Sequence, residues 1–146
     1  MLCNTLDGRA KLWDYAAGRT RRTYAGGHVN TQFCISSGFL GGSSSASFDL
    51  GCSMVVTGSE DGSLAAYDIS TGHVVGRGAA AAAAAEGGGD EGSAAAAAAG
   101  GVAGGHTAAV LSVNVHPSAP LVATGGHHPD NSVRVWAASR TEPAAA

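Results

Sequence analysis

The sequence predicts an all-β chain built from short antiparallel sheets that repeat along its length. Three segments carry one pattern: TLDGRAKLWD (Thr5–Asp14), TGSEDGSLAAYD (Thr57–Asp68) and TGGHHPDNSVRVW (Thr124–Trp136). Each has a turn containing an Asp, then an alternating segment, then an aromatic. Alternation is the period of a half-buried strand, and self-similarity along a chain marks a repeat architecture. Gly-His pairs, Gly27-His28 and Gly105-His106, precede the second and third segments.

In chain order, residues 1–7 read as the end of a strand entering a turn, and Arg9 to Asp14 as the strand that follows. Ala16-Ala17-Gly18 turns the chain into a strand from Arg19 to Tyr24, and Gly26-Gly27-His28 is a loop. Gln32 to Phe39 alternates as a half-buried strand. Gly41 to Ser47 is Gly/Ser-rich and reads as a flexible loop. Met54 to Gly58 and Leu64 to Ile69 are strands joined through Glu60-Asp61-Gly62, since Asp-Gly favours a hairpin. Ser70-Thr71-Gly72 turns into His73 to Arg77. Residues 78–105 are low-complexity, with two Ala runs split by glycines and by Glu86, Asp90 and Glu91; runs this short make marginal helices and the reading is disorder. Val110 to Val115 alternates, with Val110, Ser112 and Asn114 on one side and Leu111, Val113 and Val115 on the other. His116-Pro117 ends that strand because Pro cannot donate to a ladder. Leu121 to Thr124 and Ser132 to Trp136 are the last strands, and the tail frays.

Composition narrows the functions. Aromatic residues are only 5% and charged residues 13% of the 146, so Ala supplies much of the apolar content and the usable core is small. The formal charge of −3 gives no electrostatic case for direct nucleic-acid or membrane binding. The three cysteines, Cys3, Cys34 and Cys52, are unpatterned and suggest a reducing compartment. No Cys-x-x-Cys or zinc-type His spacing is present, although His106, His116, His127 and His128 invite the question. A Gly-x-Ser-x-Gly elbow and a phosphate-binding Gly-Lys-Ser/Thr are also missing. The expectation is therefore no catalytic residues, no metal and no cofactor. Arg19, Arg21 and Arg22 read as a solvated outer strand that discourages edge pairing.

Gly-His followed some way on by Trp-Asp is the signature of the WD repeat, one four-stranded blade of a β-propeller. The fold class is accordingly an all-β, partial WD-repeat β-propeller of about two to three antiparallel blades, unclosed. Residues 1–25 are the end of one blade, 26–77 a whole blade and 105–139 a last blade lacking its outer strand; 78–104 is an insert and 140–146 a tail. The intervals from Trp13 to Tyr67 and from Tyr67 to Trp136 exceed the ~40–45 residues of a blade by the length of the inserts. Resemblance to the WD repeat implies a hydrogen-bonded set in each blade. It comprises the Gly-His histidine, a Ser/Thr on the second strand, the turn Asp and the Trp. The middle blade offers His28, Thr57, Asp61 and Tyr67, and the last His106, Thr124, Asp130 and Trp136; the first offers only Thr5, Asp7 and Trp13.

The stretch TLDGRAKLWDYAAGRTRRTYAGGH, with TQFCISSGF, TGSEDG and the Val-rich segment before His116-Pro117, resembles the C-terminal blades of one family. That family is the propeller subunit of COMPASS/trithorax-type histone lysine methyltransferase complexes. The resemblance rests on Leu12-Trp13-Asp14-Tyr15 and Phe33-Cys34-Ile35. It implies a nuclear, non-catalytic scaffold for methyltransferase subunits or a histone tail, whose central opening stacks an arginine between aromatic rings. It places Phe33 and Cys34 at that pocket, at the start of an inner strand, and Ser36 where the family has a clamping Phe, so that arginine capture is weakened. Phe39 matches a residue of a second, hydrophobic groove; packing between blades is the other reading of Phe33 and Phe39. The family closes its ring with a strand from the far N-terminus, and the chain here reads as a part of such a ring. A generic WD-repeat adaptor of the ubiquitin-ligase or signalling type, cytoplasmic as readily as nuclear, and a truncated non-functional fragment are the alternatives.

Overall fold

The computed structural model describes residues 1–41, 52–78 and 105–137. The Gly/Ser loop beyond Gly41, the insert beyond Gly78 and the tail lie outside the described residues. Ten strands form three antiparallel sheets among the described residues: β1 (Leu2–Thr5), β2 (Arg9–Asp14) and β3 (Arg19–Ala25); β4 (Ser37–Gly41), β5 (Cys52–Gly58), β6 (Leu64–Asp68) and β7 (Val74–Gly78); β8 (Val110–Val115), β9 (Leu121–Gly126) and β10 (Val133–Ala137). Each sheet is a meander in chain order, with four strands in the second sheet and three in each of the others. The fold is a partial, unclosed WD-type propeller, with sheets stacked as successive blades.

The second sheet sits between the other two, and its strands alternate accordingly. Val56 and Leu64, with Met54 and Ala66, meet Val110, Val113, Val122 and Trp136 of the third sheet. Val55, Ala65 and Tyr67, with Phe39, meet Ala10 and Tyr24 of the first. Neighbouring side chains on a strand point to opposite faces, so Val55 and Val56 are both fully buried only because both faces are covered. Phe39 is thus part of the packing between the first two sheets.

Polar side chains join the sheets near their turns. Asn4 donates from Nδ2 to the Ile35 carbonyl and to Thr57 Oγ1, each at 2.9 Å, while Ser37 Oγ donates to Asn4 Oδ1 at 2.7 Å. Ser36 Oγ accepts the Val113 N–H at 2.6 Å, and the Ser36 N–H donates to the Leu111 carbonyl.

Two strand readings need correction. The segment from Gln32 to Phe39 is not one strand: pairing begins at Ser37 and runs to Gly41, because the amides of residues 31–33 are taken by a carboxylate instead of a neighbouring strand. In β8, simple alternation fails. The ladder goes from Val110↔Gly126 to Ser112↔Gly125, so Leu111 is a bulge residue whose carbonyl serves Ser36. The bulge lets Val110 and Val113 both reach the core, although simple alternation places them on opposite sides.

Gly62 sits in the β5–β6 turn at φ +81, and a Cβ there would lie 2.4 Å from the His106 carbonyl oxygen. Both the left-handed backbone and the close approach require glycine. Gly62→Ala is expected to lower stability by about 2–4 kcal/mol from strain and overpacking together, read as a lower urea midpoint at unchanged slope.

Candidate protein-interaction rim

One end of the stack carries the β1–β2, β5–β6 and β9–β10 turns together with the loops that hold the two Gly-His pairs. In the third sheet the polar set is complete. His106, fully buried, places Nδ1 at 2.5 Å from Asp130 Oδ2 and Nε2 at 2.8 Å from Thr124 Oγ1. Trp136 Nε1–H donates to the same Thr124 oxygen at 2.7 Å. Ser132 Oγ donates to Asp130 Oδ1 at 2.6 Å and the Thr107 N–H to Oδ2 at 3.2 Å. Burial opposes the charge on Asp130, but hydrogen bonds from Ser132 and His106 outweigh it and hold the carboxyl below its usual range. Gly126 lies against this set, since a Cβ there would fall 2.5 Å from both His106 Nδ1 and Asp130 Oδ2.

The middle set is divided. Tyr67 hydroxyl meets His28 Nδ1 at 2.6 Å and accepts the Gly27 N–H at 3.0 Å. Thr57 does not join them; it accepts from Asn4. Asp61 turns outward to Ser63 Oγ and to Arg77 at 2.7 Å. The Tyr67 hydroxyl thus takes the histidine directly, whereas the Trp136 N–H of the third sheet takes the threonine. Burial pushes the His28 imidazole below its ordinary range, with the Asp61 charge opposing. In the first sheet Thr5 bonds Asp7 and does not meet Trp13, whose side chain is exposed. Register explains this. Thr57 and Thr124 pair with Ala65 and Arg134, each two residues before its aromatic; the residue that pairs two positions before Trp13 is Cys3, opposite Lys11. Thr5 corresponds instead to Ser59.

Between these sets lies the loop of the expected peptide-binding residues. Phe33, Cys34 and Ser36 precede β4 and do not start it. Phe33 lies against His127 of the β9–β10 turn, with ring centroids 5.0 Å apart at 36°. Cys34 is exposed, and Ser36 spends its hydroxyl on Val113. Phe39 lies apart from this group, partly buried against the cluster between the first two sheets.

A residue that motif reading passed over organises the loop. Glu60 Oε1 accepts the N–H groups of Thr31 (2.7 Å), Gln32 (2.6 Å) and Phe33 (3.0 Å), and Oε2 accepts the Thr31 hydroxyl at 2.7 Å. Burial works against its charge, yet the donors hold its pKa down to about 2. The Glu60 N–H in turn donates to the Val29 carbonyl. The signal was a carboxylate in a turn facing a run of non-proline amides, which spacing alone does not connect. No group of His, Cys, Asp and Glu suited to a metal ion occurs among the described residues.

The comparisons fit this architecture. Residues 101–137 match the WD domain, G-beta repeat family. Among solved structures, the crystal structure of the computationally designed Ika4 protein is similar over 94% of this chain and 59% of that one, with 21% identity and a TM-score of 0.52. The chain thus spans about 59% of the length of that structure, and the likeness speaks to fold alone. Together they support a WD-repeat propeller fold, with one repeat matched at residues 101–137. Such repeats are generally non-catalytic scaffolds that bind protein partners.

Thr124→Val is expected to cost about 1–3 kcal/mol, because the Trp136 N–H and His106 Nε2 lose their common partner; chemical denaturation measures it. Glu60 also makes an acid limb. Its folded pKa, about 2, lies below its ordinary 4.5, so the unfolded chain binds more protons on acidification. The stabilisation is complete above 4.5 and is lost as pH falls towards about 2. Unfolding curves taken from about pH 6 to about pH 3 are expected to show a steeper loss for the native chain than for Glu60→Gln.

Proposed function

We propose that the chain is a non-catalytic scaffold that holds a partner's peptide at the rim formed by Phe33 and His127. Resemblance to the methyltransferase-complex propellers supports a methyltransferase subunit or a histone tail as the partner, and a nuclear setting. The observation that carries the binding reading is the Phe33 ring, placed at the rim by Glu60 and braced by His127 at 5.0 Å. A side chain held this way loses little freedom on binding, and an aromatic face attracts a guanidinium by about 0.5–2 kcal/mol.

Ser36 favours a second reading, a WD-repeat adaptor for a peptide without an arginine anchor. Its hydroxyl is tied to Val113 and offers no ring to sandwich a cation. One titration separates the two. Fluorescence anisotropy with an arginine-bearing peptide is expected to show binding that weakens about tenfold in Phe33→Ala, which corresponds to ~1.4 kcal/mol. Binding unchanged by replacing the peptide's arginine selects the adaptor reading. Equal binding by native and Phe33→Ala chains rejects the rim as the site.

A further inference from the structure

The two Gly-His histidines occupy equivalent loops but are served differently. His106 has a partner on each ring nitrogen. His28 has one: its Nε2 is buried with no hydrogen-bond partner among the described residues, and so is Asn30 Oδ1. The residues are 7% and 1% exposed, while Val29 between them is 44% exposed. His28 and Asn30 are thus both withdrawn from solvent on either side of the exposed Val29. The segment is clamped there. Val29 N–H donates to Ser59 Oγ at 2.8 Å, the Val29 carbonyl accepts from Glu60, and the Asn30 carbonyl accepts from Gly8 of the β1–β2 turn at 2.9 Å. Both orphan atoms therefore belong to the seam between the first and second sheets.

Proton accounting shows what they need. Tyr67 oxygen already accepts the Gly27 N–H, so its own proton requires an acceptor, and His28 Nδ1 is the one in reach at 2.6 Å. That assigns the proton of neutral His28 to Nε2. An Nε2–H donor and, two residues along, the Asn30 Oδ1 acceptor are then both buried without a protein partner among the described residues. Left unpaired, each would bear its desolvation with no hydrogen bond in return. A group that accepts from one and donates to the other removes both penalties, and water is the smallest that does so. His106 is the opposite case. Asp130 is a carboxylate that only accepts, so Nδ1 carries the proton; Trp136 donates to Thr124, whose hydroxyl passes its own proton to Nε2.

We propose that the seam between the first and second sheets contains a built site for one water molecule bridging His28 Nε2–H and Asn30 Oδ1, and that the two buried histidines consequently hold opposite tautomers. The seam between the second and third sheets closes its histidine with protein groups alone. The difference traces to the Tyr67 hydroxyl, which takes His28 Nδ1 where Thr124 and Asp130 share the ring of His106.

Long-range proton–nitrogen correlation NMR on the full chain at neutral pH tests this. The expected result is Nε2–H for His28 and Nδ1–H for His106, with a long-lived-water cross-peak to the His28 Nε2 proton. Asn30→Leu is expected to lose that cross-peak while keeping a dispersed spectrum. Should that variant fail to fold, Asn30→Asp retains the acceptor and is expected to retain the cross-peak. An Nδ1–H tautomer at His28, or no water cross-peak in the native chain, overturns the proposal.

Discussion

Val55 and Val56 are adjacent on one strand, point in opposite directions and are both removed from water. No single-layered or two-layered arrangement satisfies both. A third layer must lie beyond each face, and the flanking sheets provide them through Ala10 and Tyr24 on one side and Val110, Val113 and Val122 on the other. Each buried aliphatic side chain contributes roughly 1.5–3 kcal/mol, so stacking contributes more than any single polar contact in the molecule. The turns gather at one rim as a consequence. Sheets held face to face bring their connections together, and Gly58, Gly62 and Gly126 accept the resulting approach because a Cβ at any of them would meet a neighbour at 2.5 Å or less.

Apolar stacking does not set register along the seams; the polar groups do. At the seam between the second and third sheets, Ser36 grips the bulged strand at Val113 and Leu111. At the seam between the first and second, Asn4 grips Ile35, Ser37 and Thr57. Thr57 is available for this only because Tyr67, unlike Trp136, does not use it. One aromatic substitution within the repeat thus redistributes three partners. The histidine goes to the phenol, the threonine to the neighbouring sheet, and the aspartate to Arg77.

Much of this architecture was legible in the residues. The repeated turn-strand-aromatic pattern indicated all-β blades, and the Asp-Gly turns at Asp7-Gly8 and Asp61-Gly62 fall where the glycines adopt positive φ. What escaped was set by contacts distant in sequence. Gln32 to Phe39 has the period of a strand, but Glu60 captures its first amides and delays pairing to Ser37. Thr5 has the composition of the expected threonine position, yet pairing puts Cys3 there, because counting from the turn and counting from the aromatic give different residues. Phe39 could line a groove or fill a core on pattern alone; its ring is partly buried and packs against the cluster between the first two sheets. Phe33, in the same stretch, is left at the rim because it precedes the strand.

That division between Phe33 and Phe39 bears on how a scaffold of this kind recognises anything. The sheet faces are consumed by stacking, so recognition chemistry has to reside in the connections, and connections are ordinarily the least ordered part of a fold. Here the loop from Thr31 to Ser36 is fastened at both ends: its first three amides by one carboxylate, its last residue by Val113. Cys34, between the fastenings, is exposed, and Phe33 is braced by an imidazole from the next blade. Ordering such a loop on binding would cost about 1–2 kcal/mol per residue in backbone entropy alone. Because Glu60 and Ser36 impose that order beforehand, a peptide at the proposed rim would have only its own freedom to lose.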